Sequence, residues 1–225
     1  MCQNFKNNTL ESVKECKMRL RLKILFLLSL SVFFINFIIY PALSQERIVR
    51  AKIGIQIRSD DRIISAKSQD DLNINDLIRI YVHPEEMGYV YVIHTDLKEA
   101  TLLNMVQQKI QSSTLVMPSL QEFYQVDGNS SEETFTIIIS PNELTEVMEI
   151  FRKGTATYKK WIEVLDPLLE KSKIDLSQLV EKPFSISGNV RSVTGSSNVD
   201  PFVNELQVFS GDSVLVKKYE FRVKK

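Results

Sequence analysis

Short runs of strand-forming residues punctuate this chain, and their spacing constrains the fold more than any other feature. Residues 77–82 read Leu-Ile-Arg-Ile-Tyr-Val and residues 89–94 read Tyr-Val-Tyr-Val-Ile-His. His83, Pro84, Glu85, Glu86, Met87 and Gly88 separate them, and a proline that fixes φ beside a glycine that frees it signals a turn. Two β-rich runs around such a turn predict a hairpin. Upstream, Ile53, Ile55 and Ile57 alternate with small or polar residues across 50–58, the period of a strand with one buried face, and Asp60 and Asp61 end it. Downstream, short strands are expected at 101–103 and 114–117, the second stopped by Pro118. A clearer strand covers 134–139, and a closing pair spans 206–209 and 214–223 around Ser210, Gly211 and Asp212. Five or more strands with turn signals between them argue a sandwich or open barrel. The reading adopted is a mainly β, β-sandwich-like domain.

The middle of the chain follows a different period. Ser140, Pro141 and Glu143 have the order of a helix start, with a hydroxyl for orphan amides, a preset φ and a reciprocal acid. Leu144, Val147, Met148 and Phe151 then fall on one helical face, and Gly154 is placed to end the helix. A second pattern carries Tyr158, Trp161, Ile162 and Leu165, with Pro167 expected to kink or split it before Leu168 and Leu169. A third short helix is expected at 176–180, and 188–198 is rich in Gly, Ser and Asn, as a loop is. These segments make a helical insertion over about 140–182 within an α+β domain. Their apolar stripes, Trp161 included, read as packing against the sheet.

The start of the chain bears on compartment. Lys17, Arg19, Arg21 and Lys23 precede an apolar run over 24–40, and Pro41, Ala42, Leu43 and Ser44 follow. A basic region, an apolar region and small residues before a cleavage point are the layout of an export signal, so residues 1–44 read as a signal peptide and 45–225 as a single domain. The alternative is an uncleaved anchor, since 17 residues fall a little short of the ~20 that span a bilayer. In either case the basic flank holds the N-terminus inside and the domain faces outward, periplasmic or extracellular. The only membrane contact would then be through 24–40. Translation starting at Met18 would leave the same signal.

Both cysteines, Cys2 and Cys16, precede the apolar run. The exported part therefore has no disulfide, no thiol nucleophile and no cysteine-based metal site. Its stability must come from a core, and a chain of 181 residues can bury roughly 70 % of its unfolded surface. It carries 22 basic and 26 acidic residues, a balance that excludes nucleic-acid binding by charge. The basic residues Lys217, Lys218, Arg222, Lys224 and Lys225 read as the solvated side of a terminal strand.

Asn75 and Asp76 lead into the 77–82 strand, Gly88 opens Tyr89-Val90-Tyr91-Val92, Val116-Met117 runs into Pro118, and the 134–139 strand runs into Ser140 and Pro141. Tyr219, Phe221 and Val223 close the chain. This order resembles a bacterial exported domain of unknown function, with an Asp-led strand, a Gly-Tyr-x-Tyr strand and a closing Tyr-x-Phe-x-Val strand. The resemblance covers about 70–144 and 206–225. Asn75 stands where that family usually has Gly, which a residue tolerant of positive φ can replace, and Leu103-Asn104 stands where it usually has Phe-Pro. The resemblance implies a β-sandwich in the envelope and no activity.

Few residues fall in a pattern that carries chemistry. His83 and His94 are placed at opposite ends of the expected hairpin, too far apart for a shared metal. His94 with Asp96 invites an acid–base reading, but no Gly-x-Ser-x-Gly elbow accompanies them, and Asp96 reads as a turn residue. The carboxylate pairs 60–61, 70–71, 85–86 and 132–133 sit in loops or strand edges, where adjacent side chains diverge. No P-loop, dinucleotide fingerprint or calcium loop is present. No catalytic residue, metal ligand or cofactor is therefore assigned. Tyr81, Tyr89 and Tyr91 are the candidate ligand-binding residues. Tyr89 and Tyr91 must share a face, and Tyr81 could join them on a neighbouring strand to make an aromatic surface for a sugar or a protein. The expectation is a non-catalytic binding or assembly module of the bacterial cell envelope, with an envelope protein or cell-wall glycan as partner. The alternative is an envelope hydrolase or transferase subunit whose site is built from ordinary polar residues.

Overall fold

A computed structural model describes residues 48–60, 62–105, 109–111, 113–174 and 200–224. All of them belong to the second of two compact units, Arg47–Lys225. The expected signal segment, the third short helix and the 188–198 loop lie outside the described residues. Among the described residues no helix is long and apolar enough to cross a membrane.

The domain is a β-sandwich-like α+β fold of two six-stranded sheets. In the first sheet β1 (Val49–Ser59) lies at the centre beside β4 (Leu77–Pro84). The far side of β1 is shared by β2 (Arg62–Ser65) and β11 (Gln207–Gly211), and that of β4 by β7 (Leu115–Met117) and β8 (Tyr124–Gln125). The second sheet runs β10 (Thr155–Thr157), β6 (Glu99–Leu102), β5 (Tyr89–Thr95), β9 (Glu132–Ser140), β12 (Leu215–Lys224) and β3 (Asp71–Asn73). Ile53, Ile55, Ile57, Ile78 and Ile80 of the first sheet meet Val90, Val92, Ile137, Ile139 and Phe221 of the second in one core. Burial of such side chains is the main term holding the layers together, at about 25 cal/mol per Å² of apolar surface.

The expected hairpin does not form. β4 pairs with β1, β7 and β8, whereas β5 pairs with β6 and β9, so the 85–88 turn carries the chain from one sheet to the other. A sandwich buries the inner face of each sheet against the other, and Ile80 and Val82 accordingly share the inter-sheet core with Val90 and Val92. Asn75 adopts φ 73°, the left-handed conformation that asparagine tolerates. Asn104 uses its side-chain amide as a piece of strand, accepting from the Val92 N–H at 2.9 Å and donating to the Val90 carbonyl at 2.7 Å.

A third layer covers the outer face of the second sheet. α1 (Thr145–Ile150) and α2 (Tyr158–Ser172) bury Val147, Phe151, Trp161, Leu165 and Leu168 against Tyr91, Ile93, Leu102 and Ile138. The helical stripes thus pack on the sheet as read, but two details differ. Ser140 does not cap a helix: its backbone is still paired with Tyr89 as the last residue of β9, and α1 begins only at Thr145. Nor is the second helix split at Pro167, which lies inside α2 on its exposed side. On the opposite side of the molecule a 3-10 helix (Pro201–Glu205) covers the outer face of the first sheet. Gly54 makes room for it, since a Cβ there would stand 2.7 Å from Leu206 Cδ2.

Candidate functional site

The three tyrosines are not brought together. Tyr81 is fully buried on the outer face of the first sheet, its ring 4.9 Å from Phe202 and its hydroxyl donating to the Asp200 carboxylate. Arg79 completes that cluster, donating from Nε to the Glu122 carbonyl at 3.1 Å and stacking 3.7 Å from the Phe123 ring centroid. Burial pushes the Tyr81 hydroxyl above its ordinary pKa. Tyr91 is also fully buried, but on the outer face of the second sheet, where its hydroxyl accepts the Leu144 N–H at 2.8 Å and burial pushes its pKa up to about 12. Tyr89 shares that face and remains half-buried, with Lys109 Nζ 5.4 Å above its ring. The expectation of one aromatic surface is therefore corrected, because the turn at 85–88 places Tyr81 on the opposite side of the sandwich.

The histidines are separate, as their spacing implied. His83 Nδ1 lies 3.1 Å from Thr114 Oγ1. His94 hydrogen-bonds Glu133 at the margin of the core, beside the Phe135 ring. Asp96 is a turn residue, accepting the N–H groups of Glu99 at 2.9 Å and Lys98 at 3.0 Å. The Glu99 bond is the first cause of its lowered pKa. Among the described residues no group of three metal-binding side chains forms. The basic residues of the last strand are not all solvated. Lys217 turns inward, its ammonium donating to Ser68 Oγ at 2.7 Å between the rings of Phe209 and Tyr219, and desolvation lowers its pKa. Arg222 and Lys224 both pair with Asp71, at 3.2 and 2.9 Å.

The concave site that does form lies on the outer face of the second sheet, where the apolar layer stops. Along β9 the outward residues run Ser140, Ile138, Thr136, Thr134, Glu132, and along β12 they run Val216, Lys218, Glu220, Arg222. On β5 the sequence is Tyr91, Ile93, Thr95. β9 and β12 change from apolar to polar at the paired residues Thr136 and Lys218, and β5 changes one step further along, since Ile93 pairs with Thr136 and Thr95 with Thr134, which in turn pairs with Glu220. The helices cover the apolar end. Over the polar end only the first turns of α2 overhang, and a trough of about 470 Å³ opens beneath Tyr158, Trp161 and Ile162. Such a volume lies within the ~300–1,000 Å³ of small-molecule sites.

The floor of this trough contains an anomaly. Thr136 is 0 % exposed and its Oγ1 has no hydrogen-bond partner. A buried hydroxyl without a partner costs about 1–3 kcal/mol, a cost the fold carries beneath the surface of the trough. Its neighbours are already engaged: Lys218 Nζ reaches Glu220 Oε1 at 2.6 Å. Trp161 is buried in the wall, its ring 5.5 Å from that of Phe151, while Tyr158 is half-buried. None of these residues was singled out from sequence as a binding residue. The available signal was the shared switch from apolar to polar along three strands, which becomes visible only when the strands are set side by side.

No protein-family model, curated protein or solved structure matches this chain.

Proposed function

We propose that the protein is a non-catalytic binding or assembly module of the bacterial cell envelope, exported by its N-terminal segment, and that it holds its ligand in the trough between α2 and the second sheet. One observation carries this reading: a preformed concavity of about 470 Å³ with a threonine-lined floor beneath an aromatic and aliphatic wall. Concave sites of this size with a few converging polar groups are where proteins bind small ligands. The export half of the proposal rests on the basic, apolar and small-residue order of 17–44. An envelope protein and a cell-wall glycan are the two partner classes that compartment offers.

The test is affinity capture of a C-terminally tagged chain from its native envelope after mild crosslinking, with mass spectrometry of the captured material and of the chain's own N-terminus. A mature N-terminus at Gln45 and a reproducible envelope partner or glycan, crosslinked through residues of the trough, support the proposal. Residues 24–40 still attached with nothing captured overturn both cleavage of the signal and the binding role.

A further inference from the structure

The chemistry of the trough narrows its occupant. Its floor presents three threonines: Thr95 and Thr134 are directly opposed across neighbouring strands, and Thr136 is the next outward residue along β9. Directly opposed residues have Cβ atoms about 4.5–5.5 Å apart, so these hydroxyls form a closely spaced patch. A hydroxyl both donates and accepts, which suits a ligand whose own groups do the same. The charged residues at the rim balance, two cations (Lys218, Arg222) against two carboxylates (Glu132, Glu220), and both cations are ion-paired, Lys218 with Glu220 at 2.6 Å and Arg222 with Asp71 at 3.2 Å. No surplus positive charge is left here for a phosphate or carboxylate ligand, and the floor is too polar for an acyl chain. The overhanging wall of Tyr158 and Ile162 offers an aromatic ring and an aliphatic surface, the complement of the C–H face of a sugar.

We infer that the trough binds one or two sugar rings of a neutral, polyhydroxylated glycan, with the hydroxyl of the half-buried Thr134 as a hydrogen-bond contact. This rests on the binding-module reading and adds the ligand class to it. The chain provides its own reporter, because Trp161, its single tryptophan, stands in the trough wall.

The full-length chain, purified in detergent, is titrated with neutral trisaccharides of β-1,4-linked glucose, N-acetylglucosamine and mannose, and with trigalacturonate and trialanine, while Trp161 emission is followed. At least one neutral trisaccharide is expected to give a saturable change that trigalacturonate and trialanine do not. Thr134→Val should weaken that binding about tenfold, the worth of roughly one hydrogen bond. The same variant should melt at an unchanged or higher temperature, since valine matches the shape of threonine and is favoured at a strand position. Silence with all three neutral sugars, tighter binding of trigalacturonate or trialanine, an affinity indifferent to Thr134→Val, or a lower melting temperature for that variant would each overturn the inference. The two levels of the reading fail separately. Sugars that do not bind while envelope capture returns a protein crosslinked through the trough sink the glycan inference and leave the module standing.

Discussion

At the scale of single residues, the tyrosines show how burial replaces one use of a side chain with another. Tyr91 is a structural acceptor: its hydroxyl takes the N–H of Leu144, the residue before α1, at the point where the helix itself has no side-chain cap. Tyr91→Phe should therefore cost about 1–3 kcal/mol, because it leaves a donor of the helix start without a partner. A lower urea midpoint with an unchanged slope is the expected measurement. The pH dependence follows from the same burial. Tyr91 and Tyr219 are both pushed up to about 12, above the ordinary tyrosine value of 10. Between those values the folded chain keeps protons that the unfolded chain has lost, so their contribution is complete below pH 10 and disappears as pH rises toward 12. Unfolding measured across that interval should show stability falling, with a shallower fall in Tyr91→Phe.

At the scale of elements, the question is how the strands protect their edges. β12 is paired with β9 along most of its length, but β3 covers its other side only at Arg222, Val223 and Lys224. The rest of that side is closed by single bonds. The Val216 N–H donates to Ser172 Oγ at 3.0 Å and the Glu220 N–H to the Ser68 carbonyl at 2.9 Å. The last residue of α2 is thus a clamp on an otherwise open strand edge, the kind of exposure that invites pairing with another chain. Ser172→Ala should accelerate hydrogen exchange at the Val216 amide and leave that at Glu220 unchanged. Equal exchange at Val216 in both proteins would mean that the clamp has no effect. The same helix explains the position of the trough. Trp161, Leu165 and Leu168 anchor α2 over the apolar rows of the sheet, and its N-terminal turns then project over the threonines.

At the scale of the whole molecule, three layers hold together without covalent links. The inter-sheet core and the layer under the helices share β5 and β9, whose residues are buried on both faces: Val90 and Val92 inward with Tyr91 and Ile93 outward, and Ile137 and Ile139 inward with Ile138 outward. Loss of either layer strips apolar cover from the same two strands, so the layers should unfold as one. Both cysteines precede residue 17, outside the sandwich, and the melting temperature should therefore be the same with and without reductant. A shift of more than about 2 °C on adding reductant would show that Cys2 or Cys16 contributes to the fold after all.

Much of the architecture was legible locally. Alternation at Ile53, Ile55 and Ile57, the β-rich runs around Tyr81 and Tyr91, and the helical spacing of Val147 with Phe151 and Trp161 with Leu165 each reflect a period that a single element imposes on its own residues. The helices' place on the sheet could also be read, because an apolar stripe must be buried somewhere. What a local pattern cannot encode is which strand lies beside which. The runs at 77–82 and 89–94 look like two arms of a hairpin, yet they face each other across the core, and that choice alone separates Tyr81 from Tyr91. Ser140 carries the chemistry of a helix cap, but its pairing with Tyr89 keeps it in a strand. The trough has the same origin. Thr95, Thr134, Thr136 and Lys218 come from three distant segments, and they meet only because long-range pairing sets their registers, a matter of shared burial rather than of neighbouring residues.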